Sequence, residues 1–348
     1  MASVKDHLFD TAQRVAEEPS LPWVQFAGKP FVITGATGLI ASQLVRVLVC
    51  RNDSFGLGAK IVLPVRNKEK ALGLFGDRED IELIEWSLGE PLPLEGKVDY
   101  FVHAACGTSS KSFSVEPATT IEQIVSGGEE TLKASTRLDV EKYLFLSSME
   151  VYGEVSGVAA ENNLGNLDPM VVRNSYPEAK RLLECLCASY CVEYDVPAVV
   201  VRLAQTFGQG VDVSDIRVFA DFGRHAVSGD NIVLLSDGSK RNAYLSIDDA
   251  VRAILVLLAS GVPGEAYNAA NEGTYCSIKE MADLVLANFG SGGARVVRDF
   301  DPVRAATFRK SSDLKLDTKK LKNLGWEPKD SLTSMYDSMI ACWRCAES

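Results

Sequence analysis

The chain has 348 residues, of which 46% are hydrophobic and 24% charged, enough to bury one large α/β core or two lobes. Lys plus Arg at 36 against Asp plus Glu at 47 leaves a net charge of −11, which argues against nucleic acid or an anionic membrane as partner. No apolar run approaches the roughly 18 residues of a membrane span, the amino terminus lacks a signal-like pattern and the eight cysteines are dispersed, so a reducing cytoplasm is the expected compartment.

In chain order, Val4, Leu8, Ala12 and Val15 mark an amphipathic helix closed by Glu18-Pro19. The apolar run 31–34 then reads as a buried strand, and Ile40, Leu44, Val45, Val47 and Leu48 repeat at helical spacing, so Gly35 and Gly38 sit at a strand-to-helix turn. Lacking a Cβ, these glycines let the backbone approach a pyrophosphate, which the free amides of the following helix stabilise. Gly35, Thr37, Gly38, Leu39 and Ile40 are therefore the expected contacts to a dinucleotide, with Ala41 as the small residue that packs helix on strand.

Further strands are expected at 60–65, 81–86, 98–103, 142–146 and 198–202, and helices at 68–75, 119–135 and 175–194. The alternation predicts a doubly wound parallel α/β sheet with its ligand at the carboxy-terminal strand ends, where the strand order reverses. After residue 203 the pattern loosens around Gly208-Gln209-Gly210, Ser236-Asp237-Gly238-Ser239 and Ser291-Gly292-Gly293, which suits a smaller α/β lobe. The expected division is a helical lead at 1–28, a dinucleotide lobe at 29–202 and a mainly substrate-binding, discontinuous lobe at 203–348. Cys342-Trp343-Arg344-Cys345 has redox spacing but sits in an expected terminal helix without ligand partners in sequence, so no metal site is expected.

Tyr176-Pro177-Glu178-Ala179-Lys180 opens the helix at 175–194, placing the phenol and the amine four residues apart on one face. An ammonium ~4 Å from the phenol contributes ~4 kcal/mol at an effective dielectric of ~20, about three pKa units, which would make a usable phenolate. Upstream, Leu144-Phe145-Leu146-Ser147-Ser148 is a buried strand ending in hydroxyls, so Ser148 could hold a substrate hydroxyl while Tyr176 takes its proton.

Together, Thr34-Gly35-x-x-Gly38, Val102-His103-Ala104-Ala105, Ser147-Ser148-x-x-Val151-Tyr152-Gly153, Tyr176-x-x-x-Lys180, Arg202 and Asp237-Gly238-Ser239-Lys240-Arg241 resemble an extended short-chain dehydrogenase/reductase of the nucleotide-sugar epimerase/dehydratase group, over roughly residues 29–345. The resemblance implies a Rossmann lobe, a tightly held NAD or NADP, a nucleoside-diphosphate sugar as substrate, transient oxidation at sugar C4, and a homodimer through the helices near 119–135 and 175–194. It makes Tyr176 the base, Lys180 its tuner and a ribose contact, and Ser148 the residue that positions O4. Ala104 and Ala105 join the cofactor contacts. Arg241 would meet the diphosphate, and Thr108, Lys111, Gln205 and Arg217 complete the expected substrate contacts, although Gln205 and Phe207 replace the more usual Asn and Tyr.

Three departures bear on the reaction. Arg66 follows the second strand where an acidic residue would grip the 2′-hydroxyl of NAD, which favours NADP. Ser87 stands where the family often has an aspartate facing adenine. Met149 and Glu150 occupy the places of the two acids that serve elimination of water, so the leaving group's acid is missing while Glu150 remains. Loss of a C6 carboxylate as carbon dioxide needs no such acid; it needs a cation to hold the carboxylate, and Lys111, Arg173, Arg217 and Arg304 are the candidates. Dehydration or decarboxylation assisted by Glu150 is the leading reading. C4 epimerisation, NADPH-dependent 4-ketosugar reduction and a non-catalytic dinucleotide-binding module are the alternatives.

Overall fold

The computed structural model describes residues 3–106, 115–299 and 313–347; the expected contacts Thr108 and Lys111 and the candidate cation Arg304 lie outside these residues. Among the described residues the strands are, in chain order, β1 (Pro30–Thr34), β2 (Lys60–Val65), β3 (Ile81–Glu85), β4 (Tyr100–His103), β5 (Lys142–Ser148), β6 (Gly157–Ala159), β7 (Ala198–Leu203), β8 (Gln205–Phe207), β9 (Ile232–Leu234), β10 (Arg241–Ser246), β11 (Ala266–Ala269), β12 (Asn271–Ser277), β13 (Val296–Arg298) and β14 (Leu314–Leu316).

Seven strands form one parallel sheet in the order β11-β7-β5-β4-β1-β2-β3. Such strands are buried on both faces, which is why β1, β4, β5 and β7 read as continuous apolar runs rather than alternating ones. Phe31 and Ile33 turn to one core, with the helix Leu39–Phe55. Val32 turns to the other, with Phe101, Tyr143, Phe145 and Leu183. The strand order reverses between β1 and β4, and the turn after β1 and the end of β4 flank the crevice that opens there.

A second sheet, β12-β10-β14-β6 with β8 also on β10, is parallel except at β10–β12, and β9 pairs with β13 in a small parallel ribbon. Pairing crosses the expected boundary at 202/203 in both directions. β11, from beyond it, completes the large sheet, while β6, from before it, joins β14. Composition marks a loosening of the pattern at that point, but pairing is decided by which edge lies nearest. The small lobe's core gathers Phe207, Phe219, Tyr244, Met281, Tyr336 and Trp343. No helix of the described residues is long and apolar enough to cross a membrane.

The amino-terminal helix Val4–Ala16, closed by a Ser3–Asp6 capping box, packs along Leu39–Phe55. Arg252 on the helix Ile247–Ser260 anchors that corner. It meets Asp249 at 2.8 Å and Glu18 at 2.7 Å, and Glu18 in turn meets Lys329 at 2.5 Å.

His103 ends β4 in full burial, its Nδ1 2.9 Å from Thr34 Oγ1 and its ring stacked 5.9 Å from that of Phe145. Burial pushes its pKa down to about 3, with the Lys180 ammonium acting in the same direction. The folded value lies below the unfolded one of ~6.5, so the unfolded chain binds more protons between the two. His103's contribution to stability is therefore complete above about pH 6.5 and is lost as pH falls toward 3. Asp248, buried and raised to about 6, slopes the opposite way, so a difference between proteins isolates the histidine. Between pH 7 and pH 5 the wild type should lose about 2 kcal/mol more, by urea unfolding, than His103→Asn. An unchanged pH slope in the variant overturns this assignment.

Candidate active site

Gly35 leaves β1 at φ +68°, and a Cβ there would lie 2.8 Å from the backbone of Ala104 and Ala105 at the end of β4. Only glycine lets the two strand ends approach so closely. The Gly38 N–H donates to the Gly35 carbonyl at 2.8 Å, and Gly38 caps the helix Leu39–Phe55 with backbone alone, without a side-chain cap and without an acidic residue in the first turn. The amides of Leu39, Ile40 and Ala41 thus face the crevice end with the helix dipole's positive pole. A dinucleotide pyrophosphate fits this cradle. Ala41, 3% exposed, packs the helix on the sheet as its size requires. Arg66 follows the end of β2 on the same sheet edge and is exposed.

Beyond β5, the Ser148 hydroxyl accepts from the Glu150 N–H at 3.2 Å and so caps the short 3₁₀ turn Met149–Tyr152. The same hydroxyl hydrogen-bonds with the Tyr176 side chain at the start of the helix Ser175–Glu193. Lys180, one turn on and 2% exposed, donates from Nζ to the Leu146 carbonyl at 2.8 Å and stands over the Phe145 ring at 4.5 Å. Arg173, just before the helix, grips Glu150 with Nη1–Oε2 at 3.1 Å and Nη2–Oε1 at 3.3 Å. Ser148, Glu150, Tyr176 and Lys180 are thus brought together, and Arg173 with them.

The expected phenolate is corrected. Burial raises Tyr176 well above the usual phenol pKa, Cys106 and Glu150 push the same way, and the Ser148 hydrogen bond and Arg173 oppose them. The expectation made the ammonium the main influence on the phenol, whereas Nζ is directed at the Leu146 carbonyl and the groups acting most on the phenol are Cys106, Glu150, Ser148 and Arg173. The residue at rest is a neutral phenol, hydrogen-bonded with the Ser148 hydroxyl.

Beneath this layer lies a network that the reading of the sequence missed. Ser147 Oγ donates to Glu184 at 2.5 Å, and Arg202 meets Glu184 at 2.7 Å with both side chains almost wholly buried. Arg202 also donates to the Tyr152 hydroxyl at 3.1 Å and to the Glu161 carbonyl at 2.7 Å, while the Tyr152 hydroxyl donates to Asn268 at 2.7 Å. A signal for it existed: Tyr176, Lys180 and Glu184 recur every fourth residue on one helix.

Among the described residues, the other expected substrate contacts are not joined to the cluster. Arg217 is held by Asp215 at 2.5 Å and lies over the Phe219 ring, and Arg241 is held by Glu280 at 2.8 Å over Tyr275. Gln205, half-buried, opens β8 opposite Tyr244 of β10.

The family model "NAD dependent epimerase/dehydratase" matches residues 31–270. The chain belongs to that family. UDP-glucuronic acid decarboxylase 2 of Arabidopsis thaliana is 29% identical over 330 residues, 91% of this chain and 68% of that protein. The solved UDP-glucose 4-epimerase of Thermotoga maritima, with UDP-glucose, has a TM-score of 0.76 at 23% identity and covers 92% of this chain and 100% of its own. The dTDP-glucose 4,6-dehydratase DesIV of Streptomyces venezuelae, with NAD and TYD bound, has a TM-score of 0.74 at 21% identity, covering 90% and 97%. Both solved structures share the fold of this epimerase/dehydratase.

Tyr176, whose phenol hydrogen-bonds with Ser148, is the proposed base. Tyr176→Phe should keep the fold and the dinucleotide while lowering turnover by roughly two to four orders of magnitude. Near-normal turnover would remove Tyr176 from the base role. Lys180→Met should in addition weaken dinucleotide binding, read by titration of the cofactor.

Proposed function

We propose that this enzyme decarboxylates a nucleoside-diphosphate uronic acid by way of transient oxidation at sugar C4. The observation that carries the reading is the composition of the crevice edge: Ser148 hydrogen-bonded to Tyr176, Glu150 beside them, and half-buried, apolar Met149 where dehydration would call for a second acid. When bound, a nicotinamide dinucleotide supplies the hydride acceptor and donor. Ser148 orients the C4 hydroxyl, and Tyr176, once positive charge in the crevice has driven its own proton out to solvent, takes the hydroxyl's proton as C4 becomes a ketone. The C6 carboxylate is then β to that ketone, so its electrons can flow into the ring as carbon dioxide departs, with no acid required at position 149. C5 then gains a proton from solvent, relayed by Glu150, in place of the lost carboxylate, and Tyr176 returns its proton to O4 as the ketone is reduced.

The relatives that are UDP-glucuronic acid decarboxylases support this choice over dehydration. Epimerisation at C4 would leave Glu150 and its arginine without a part. Arg66 favours NADP, because a guanidinium pairs with a 2′-phosphate better than with a hydroxyl. A homodimer through the packed helices Pro117–Leu138 and Ser175–Glu193, which expose Ile121 and Leu182, completes the proposal.

Glu150→Gln keeps size and hydrogen bonding but removes the charge. Oxidation at C4 should proceed and the later step stall, so the near-ultraviolet absorbance of a reduced nicotinamide builds up during turnover and release of carbon dioxide falls. Unchanged turnover, or interconversion of C4 epimers without loss of mass, overturns decarboxylation. For the cofactor, Arg66→Asp should move the ratio of affinities from NADP toward NAD, measured by titration of each. An unmoved ratio means that Arg66 does not face the adenosine ribose.

A further inference from the structure

We infer that Arg173 is the residue that selects a carboxylate at sugar C6, receiving it while neutralising Glu150. This rests on the proposed nucleotide-sugar reading and adds to it the device by which an anionic sugar is admitted beside an anionic side chain.

Geometry singles out this arginine. Of the four cations that sequence order leaves open, Arg217 is bound by its own near neighbour Asp215 in contacts of 2.5–3.0 Å and lies against the Phe219 ring, and two others fall outside the described residues. Arg173 alone of the described candidates adjoins the reacting groups. It pairs with Glu150, and both charges act on the Tyr176 phenol, Glu150 raising its proton affinity and Arg173 lowering it.

The pair also has the character of one that can be shared. Its contacts, 3.1 and 3.3 Å, are longer than the ~2.7–2.9 Å of a tight charge-assisted bond, and the side chains are 32% and 26% exposed. By contrast, Arg202–Glu184 below it closes to 2.7 Å at 6% and 11% exposure. A guanidinium presents five donors in a plane and can bridge two carboxylates, which an ammonium does less well. A lone Glu150 would repel a uronate; paired with Arg173 it presents no net charge and offers donors. A neutral hexose carries a hydroxymethyl group at C6, which can accept one hydrogen bond from the arginine but forms no ion pair with it.

The test is equilibrium binding by calorimetry to the dinucleotide-loaded enzyme, with UDP-glucuronic acid, UDP-glucose and UDP as probes. Arg173→Gln should weaken UDP-glucuronic acid by roughly 10- to 100-fold while changing UDP-glucose by less than about threefold. Arg173→Lys should fall between wild type and Arg173→Gln for the uronate, and Glu150→Gln should bind the uronate at least as tightly as wild type. Equal weakening of both sugars, or an unaffected uronate, overturns the inference; if Arg173→Gln does not retain dinucleotide, the lysine variant decides by the same criterion. Failure of the wild type to bind any of the three probes would instead overturn the nucleotide-sugar reading, so the two failures are distinct.

Discussion

The buried Glu184–Arg202 ion pair is the constraint on which the site's geometry depends. Two charges that are almost wholly buried require close pairing and full hydrogen bonding, since an unpaired one would cost several kcal/mol. Satisfying them draws in Ser147 from β5, Tyr152 from the following 3₁₀ turn, the Glu161 carbonyl and, through Tyr152, Asn268 of β11. Asn268 also donates to the Ala159 and Asp317 carbonyls, at the ends of β6 and β14. The network thus fastens the large sheet to the small one directly under the residues that flank it in sequence. Ser148 is the neighbour of Ser147, and Glu150 stands two residues before Tyr152. Neither can move far without disturbing a bond that the buried charges need.

Above that layer the site contrasts two kinds of ion pair. The lower one is buried, short and tied to the Glu161 carbonyl and the Ser147 and Tyr152 hydroxyls, and so serves position. The upper one, Glu150–Arg173, is longer and partly exposed, and so can respond to a charged group entering from the crevice. On the cofactor side the corresponding device is uncharged: bare amides and a helix pole reached through Gly35, whose missing side chain is what lets β1 and β4 converge. An acidic chain can thereby offer anions local sites at the crevice, through amides and Arg173, despite its net charge of −11.

Much of this was legible in the chain. The parallel sheet follows from apolar runs alternating with helical patterns, and Gly35, Gly38, Ser148, Tyr176 and Lys180 all stand at the ends of elements whose type the periodicity fixes. What escaped is of two kinds. Pairings between segments far apart in sequence, such as β6 with β14 and β11 with β7, depend on the packed arrangement and carry little local signal. Electrostatics also escaped, because the i, i+4 spacing of Tyr176 and Lys180 sets a shared helix face but not the direction of the amine. That direction is set by the Leu146 carbonyl at the end of β5, a partner that only the fold brings near.

The direction of that amine changes how proton transfer must be understood. A lysine aimed at the phenol oxygen would hold a phenolate ready at all times; here burial and the Glu150 carboxylate hold the proton on Tyr176. A neutral phenol in hydrogen-bond contact with Ser148 is inert as a base until positive charge within the crevice shifts the balance. Two anions at the edge, Glu150 and an incoming carboxylate, would raise the phenol's proton affinity further, and Arg173 is the adjoining cation able to offset both. In the proposed mechanism substrate recognition and the strength of the base are one electrostatic problem, and the Arg173 guanidinium, just before the helix Ser175–Glu193, acts on both.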